Sequence, residues 1–408
     1  MAEDEASGAG AGDSVTEVGS QSWLSRLLGS LIGVLIGFLL VPGAGIGLWW
    51  NEGRAVQTAR SLAEGEGAVV EVGANPVESA NQGRLVHVTG PTSVAGPLRD
   101  GEFGVAVEAL RLVRKVEMYQ WKETKEEETR NRIGGGQDTV TTYKYARGWY
   151  DEAIESQRFR EPRNHANPAM PYRSSESVQP SARLGGFTIP QVLLGSLDDD
   201  RRLALDEATV DRMGRTLRRP ARLVDGVVFA GGDPLTPQVG DLRIGFTYAP
   251  VQTVSVIAAQ SGSELAPYQT RAGDRLHMIV AGNVPAAAMF KAAEDANTAL
   301  TWILRGVGAL VMFIGFALVL RPLSVLASLL PLLGDIVGAG TGLVSLTLTA
   351  LVAPIVIAVA WLAYRPIVGI AILSVGLIVA FAFGRLSHRR AAGGAVRAAT
   401  AAPNPVSR

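Results

Sequence analysis

Apolar positions crowd toward the two ends of this chain and leave a polar middle. Residues 27–50 carry no charge and make a run of about 24 residues, enough for a spanning helix, which needs ~20. The C-terminal third repeats the pattern at 302–320, at 338–364 with Pro354 inside, and at 367–384. Between the first two of these runs, 322–337 is apolar but interrupted by Pro322, Pro331 and Gly334, and it carries Asp335. Such a broken stretch is expected to be an interfacial or re-entrant segment rather than a full span.

The period changes in the middle. "GAVVEV", "GRLVHVTG", "GVAVEALRLVRKVEMYQW", "TVTTYKYARGWY", "GDLRIGFTYAPVQTVSVIAAQ" and "DRLHMIVAGN" are rich in Val, Ile, Thr and Tyr. Several alternate apolar and polar positions, as half-buried strands do. A short helix is expected over 206–218, and Pro285 can open another that continues into the second apolar run. "RIGGGQD", following the charge run "KETKEEETRNR", reads as a hairpin tip after a solvated strand end or loop.

The fold class that follows is a membrane protein with four transmembrane α-helices, one N-terminal and three C-terminal, plus a large mainly-β (α+β) extracytoplasmic domain. Residues 1–22 read as a disordered acidic tail and 23–50 as the first transmembrane helix. A mainly-β soluble domain fills 51–300, either as one body or as two lobes with a seam near 160–182. The remaining spans are 301–321, 338–364 and 366–384, with the broken segment at 322–337 and a basic disordered tail at 385–408. A cleaved leader would have a shorter apolar core of ~7–15 residues after a basic start. The longer run here, behind an acidic tail, reads as a retained anchor.

Basic flanks set the sidedness. Arg385, Arg389, Arg390 and Arg397 follow the last span, which puts the C-terminus in the cytoplasm. Four spans return the N-terminus to the same side, with Arg26 at its border and Arg321 also inside, and send the middle region outside. Trp49, Trp50, Trp302, Trp361 and Tyr364 then all reach the outer interface, where amphipathic rings prefer to sit.

Composition sharpens this in two ways. The 408 residues carry a formal net charge of zero, which removes the simplest case for a nucleic-acid partner. The chain has no cysteine, so disulfides and thiolate metal sites are excluded. Only five lysines (Lys115, Lys122, Lys125, Lys144, Lys291) stand among many arginines, alanines and glycines, the composition of a GC-rich bacterium.

Candidate chemistry is sparse. None of His87, His165, His277 and His388 has a second ligand at helical metal spacing. His87 and His277 fall in strand-like runs and read as structural, and His165 in "HANPAMP" reads as a latch in a proline-stiffened loop. No nucleophile elbow, phosphate loop or dinucleotide fingerprint occurs, so no catalytic, metal or cofactor residue is assigned.

Three features remain. Gly29, Gly33 and Gly37 recur every fourth residue in the first span and form a close-approach face, open either to a second copy or to the chain's own helices. Asp335 is an ionisable group at apparent membrane depth, a functional candidate on that ground. Glu52 follows the first span in "WWNEGRAV", at the same expected depth as Arg365 in the outer turn "YRP". The two are expected to pair at the outer interface, where a reduced dielectric strengthens the attraction.

Several of these stretches together resemble the LUMA or transmembrane protein 43 family: "WNEGRAV" with "SLAEG", "VEMYQW", "HANPAMP", "GDLRIGFTYA", "VSVIAAQ" and "WLAYRP". They follow the family's order and cover most of residues 39–384. The resemblance implies one N-terminal span, a large soluble domain and a C-terminal membrane cluster. It also implies self-association and a role in organising membranes, and brings no enzymatic activity. Eukaryotic members sit in the endoplasmic reticulum and inner nuclear membrane; in a bacterium the setting would be the cytoplasmic membrane. The function expected is a non-enzymatic membrane organiser or scaffold, a homo-oligomer in the lipid bilayer that presents its β-rich domain to a protein partner or the membrane surface. The alternative is a channel or transporter formed by the C-terminal helices.

Overall fold

The computed structural model describes residues 13–197 and 201–366. They divide into two compact units. The first holds 13–29, 57–297 and 325–335; the second holds 30–56, 298–324 and the described residues from 336 on.

In chain order the elements begin with β1 (Ser14–Gln21), α1 (Trp23–Ala68), β2 (Val70–Val72), β3 (Leu85–Ser93), β4 (Leu98–Asp100), β5 (Val105–Val107), β6 (Ala109–Asn131) and β7 (Gln137–Tyr150). Next come β8 (Ser175–Val178), β9 (Ser181–Leu184), β10 (Phe187–Pro190), α2 (Gln191–Leu194), β11 (Arg201–Arg202), α3 (Glu207–Leu217), β12 (Ala221–Val224), β13 (Val227–Ala230) and β14 (Leu242–Pro250). The last are β15 (Thr253–Ser261), β16 (Glu264–Ala266), β17 (Tyr268–Gln269), β18 (Arg275–Leu276), β19 (Met278–Ala281), α4 (Ala286–Ala327) and α5 (Pro331–Tyr364).

The first unit is built on two sheets. One runs β1-β7-β6-β14-β13-β12, with β8 joined to β6 and β11 to β14. The apolar positions of β6 and β14, among them Leu112, Val116, Ile244 and Phe246, face α3, which contributes Val210, Met213 and Leu217. Asp206 caps α3 by accepting from the Thr209 N–H at 2.9 Å, and Arg218 ends it in the left-handed conformation.

The other sheet runs β19-β15-β16-β10-β9-β3-β2. Because β15 also pairs with β3, strands β3, β9, β10, β16 and β15 close into a small barrel. Strand alternation sorts its residues. Val86, Val88, Val254, Val256 and Ala258 join Leu184, Phe187 and Ile189 in one core. Leu85 and Ile257 point the other way and are covered by Leu62 of α1 and Met289 and Phe290 of α4. Each such side chain, fully buried, contributes roughly 1.5–3 kcal/mol. On that same outer side of β3, His87 Nδ1 lies 2.5 Å from Glu71 Oε2.

The β6–β7 hairpin is the longest element pair of the unit, in register from Met118 with Tyr150 to Asn131 with Gln137. Up to Trp121 its buried positions alternate; from Lys122 onward β6 is mostly exposed and rich in charge. At the start of that exposed part, the Asn167 side chain accepts from the Trp121 N–H at 2.7 Å and donates to the Trp121 carbonyl at 2.9 Å. An amide there stands in for a neighbouring strand. At the hairpin tip Gly134 and Gly135 take φ of 90° and 80°, which only glycine adopts cheaply.

Two expectations change here. The tail of 1–22 is not all disordered, because residues 14–21 form β1, which pairs antiparallel with β7. Its polar, Gly/Ser-rich sequence hid a strand that borrows its stability from backbone pairing. The broken segment 322–337 is helical over most of its length. It comprises the last turns of α4 with Pro322 inside, a turn at 328–330, and the first turns of α5, which Pro331 opens.

The tip of the middle region's hairpin also meets the start of α1 and the α4–α5 turn, contacts that the sequence reading did not expect. Arg26 Nη1 donates to the Gly135 carbonyl at 2.6 Å, Gly134 N–H to Leu329 at 3.3 Å, and Asn131 Nδ2 to Asp335 Oδ1 at 3.1 Å. The expected fourth span at 366–384 and the tail at 385–408 lie outside the described residues, apart from Pro366.

The second unit is helical. α1, α4 and α5 are long and apolar enough to cross a membrane, and each runs past a proline: Pro42, Pro322 and Pro354. Ala44, Leu48, Met312 and Ala353 form its small core. Outward faces expose large apolar side chains, among them Phe38, Ile46, Ile303, Leu310, Leu343 and Leu351, as a lipid-facing bundle does.

Candidate functional site

"WWNEGR" sits in mid-helix, because α1 continues unbroken from the span to Ala68. Each residue from Trp49 to Arg54 except Trp50 is used to hold α1 to the other two helices of its unit. Glu52 is the centre, with 1% of its surface exposed. Arg305 of α4 donates to it through both arms of its fork, Nε to Oε1 at 2.6 Å and Nη2 to Oε2 at 2.8 Å. Trp361 of α5 donates its indole Nε1–H to Oε2 at 2.7 Å. Three donors on one carboxylate, two of them charged, offset the cost of taking the anion out of water.

Arg305 is held on its faces as well. Its guanidinium lies 4.6 Å from the Trp302 ring centroid and 5.7 Å from that of Trp361. Trp302 and Arg305 share one helix face because they are three residues apart. The planar cation between two indoles gains from both quadrupoles, which an ammonium would do less well.

A second layer lies beside this pair. Buried Asn51 donates from Nδ2 to the Thr301 carbonyl at 3.2 Å. Arg54 Nη2 donates to Asn51 Oδ1 at 3.3 Å and to Thr301 Oγ1 at 3.0 Å. Trp49 and Tyr364 rings lie 5.7 Å apart. Gly53 lets the Tyr364 ring approach so closely that a Cβ there would sit 2.8 Å from its Cζ.

The expected partner of Glu52 is therefore replaced. Arg365 is exposed and its backbone N–H bonds to the Trp361 carbonyl, while Arg305 occupies the carboxylate. Depth in the membrane suited either arginine; what decides is that Arg305 lies inside an apolar helix and must be paired there. The signal was present in the sequence as an arginine three residues after a tryptophan, within a span.

The glycine stripe divides. A Cβ on Gly37 would meet the Gly315 carbonyl at 2.5 Å and Val319 Cγ2 at 2.8 Å, so this glycine serves packing between α1 and α4. A Cβ on Gly33 would touch only Leu318 at 3.5 Å, and one on Gly29 would meet nothing within 4 Å. Asp335 is exposed, in the first turns of α5, with Asn131 as its donor. That is the setting of a solvated residue near a helix start, not of a charge isolated in a bundle. Among the described residues no group of three His, Asp or Glu is placed to hold a metal ion.

The family model described as "Transmembrane protein 43" matches residues 118–366. The chain is 33% identical over 369 residues to "Transmembrane protein 43" of Homo sapiens, covering 87% of this chain and 90% of that protein. It is 32% identical over 368 residues to the Mus musculus protein of the same name, covering 86% and 90%. The "Transmembrane protein 43 homolog" of Drosophila melanogaster is 29% identical over 354 residues, covering 84% and 91%. No solved structure matches.

Proposed function

Because the chain belongs to the transmembrane protein 43 family, we propose that it is a non-enzymatic membrane organiser that self-associates and displays its β-rich unit to a protein partner or the membrane surface. The observation that carries this reading is the Glu52–Arg305–Trp361 network. Both oxygens of the Glu52 carboxylate are taken up by donors from α4 and α5, which ties the three helices together. Such a network makes an anchor.

Self-association has a candidate face in the same unit. With Gly37 taken up by α4, one open small-residue pair on α1 is Gly43 and Gly47, where a Cβ would meet nothing within 4 Å. They line a groove of about 310 Å³ with Leu304, Val307 and Gly308, rimmed by Trp50. A small-xxx-small pair facing outward is what lets helices of two copies approach closely.

The finer topology belongs to the same proposal. A fourth span at 366–384 returns the chain, the arginine-rich segment after it is cytoplasmic, and the bulk of the β-rich unit lies on the other side.

Mass measurement of the full chain in lipid nanodiscs tests the reading. Wild type is expected as an oligomer, Gly47→Leu as a smaller species that keeps its thermal unfolding transition, and Gly29→Leu as wild type. A monomeric wild type at membrane-like density would overturn self-association.

A further inference from the structure

Asp13 and His165 are far apart in sequence and meet in the first unit. The His165 ring has no exposed surface. Its Nδ1 lies 3.0 Å from the Glu161 carbonyl and its Nε2 lies 2.8 Å from Asp13 Oδ2. A carbonyl and a carboxylate only accept hydrogen bonds, so both ring nitrogens must donate for both bonds to exist. Only the imidazolium does that. A neutral ring would turn a lone pair toward one of two oxygens.

The surroundings suit a cation. Tyr145 of β7 stacks on the ring with centroids 3.6 Å apart at 8°, and Trp121 of β6 meets it edge-on at 4.8 Å and 87°. Other charged and titratable groups lie around the ring. On β6, Glu123 accepts from the Tyr145 hydroxyl and the Arg160 N–H. On β7, Arg147 lies over the Trp121 ring at 5.0 Å. In the loop, Arg160 pairs with Glu17 of β1, and the Glu161 N–H bonds to the Tyr145 hydroxyl. The Asp13 carbonyl also accepts from the Tyr145 N–H at 2.9 Å.

We propose that Asp13 and His165 form a proton-operated clasp that holds β1, and through it the start of α1, on the β-rich unit. β1 is an edge strand that is also tied by its ladder to β7 and by the Arg160–Glu17 pair. It leads within two residues into α1, whose N-cap is Ser22. With the imidazole protonated the clasp is closed. Loss of that proton removes the donor at Nε2 and the attraction to Asp13 together, and β1 loosens from its N-terminal end.

Hydrogen exchange of the full chain in nanodiscs tests this, read on the β1 amides and corrected for intrinsic rates. The comparison is between about pH 5.5 and about pH 8, which brackets the range where imidazoles titrate. Wild-type β1 is expected to lose roughly ten- to a hundredfold of its protection at the higher pH, the worth of one charge-assisted hydrogen bond. Asp13→Asn is expected to abolish the pH dependence, because an amide can pair with either form of the ring. Its side chain is 58% exposed, so this variant folds even where His165→Phe does not. Glu17→Gln is expected to keep the dependence. Protection independent of pH in wild type, or an unchanged dependence in Asp13→Asn, would overturn the clasp.

Discussion

Arg305 forks onto both oxygens of Glu52, at 2.6 and 2.8 Å, although the two residues are separated by the whole β-rich region of the chain. This pair closes the helical unit, and Trp361 seals it from the third helix at 2.7 Å. A buried pair of this kind is costly to break on one side only, because the remaining charge is then stranded.

The indole bond can be separated from the ion pair. Trp361→Phe keeps most of the ring and removes its donor, leaving one oxygen less satisfied. It is expected to lower stability by about 1–3 kcal/mol, less than removal of either charge. Thermal unfolding in detergent, followed by helical circular dichroism, checks the order.

Gly37 and Gly29 should behave differently despite sharing one stripe. Gly37→Leu forces a side chain into the Gly315 carbonyl, and Gly315→Leu forces one into Val41, whose Cγ2 a Cβ would meet at 2.8 Å. Each is expected to cost at least about 1–3 kcal/mol as overpacking. Gly29→Leu adds a side chain to open space and should be near neutral. The same unfolding assay distinguishes them.

Tyr145 gives a signature at high pH. Burial, then its hydrogen bond to Glu123, pushes its phenol up to about 12. That lies above the unfolded value of about 10. Its contribution to stability is therefore complete below about pH 10 and is lost as pH rises through about 12. Phenolate absorbance of the native protein is expected to include one ionisation near pH 12 that Tyr145→Phe removes.

Asn167→Ala leaves both backbone groups of Trp121 without the amide that pairs them. The expected cost is roughly 1–3 kcal/mol. Exchange of the Trp121 amide should rise before that of Met118, which β14 covers.

The three spans that the structure describes were legible because a membrane helix must be apolar along its full length, and the alternating stretches of the middle region marked its strands. Two of the aromatic residues grouped by depth, Trp302 and Trp361, both flank Arg305. Pairing was less legible. Depth alone could not choose between Arg305 and Arg365, because that choice rests on which helix face turns inward. β1 was missed because it lacks a clean alternation and depends on β7 for its ladder. The meeting of the hairpin tip with Arg26 and Leu329 was hidden for a related reason. The exposed, charge-rich half of β6 reads as a solvated strand end or a loop, and its register with β7 keeps it extended.

A double-mutant cycle on Glu52 and Arg305 tests the central claim most directly, measured as unfolding free energy of the full chain. Glu52→Gln and Arg305→Met are each expected to cost about 3–5 kcal/mol, and the double variant far less than their sum. Additive losses, or single losses below about 0.5 kcal/mol as for an exposed surface pair, would contradict it.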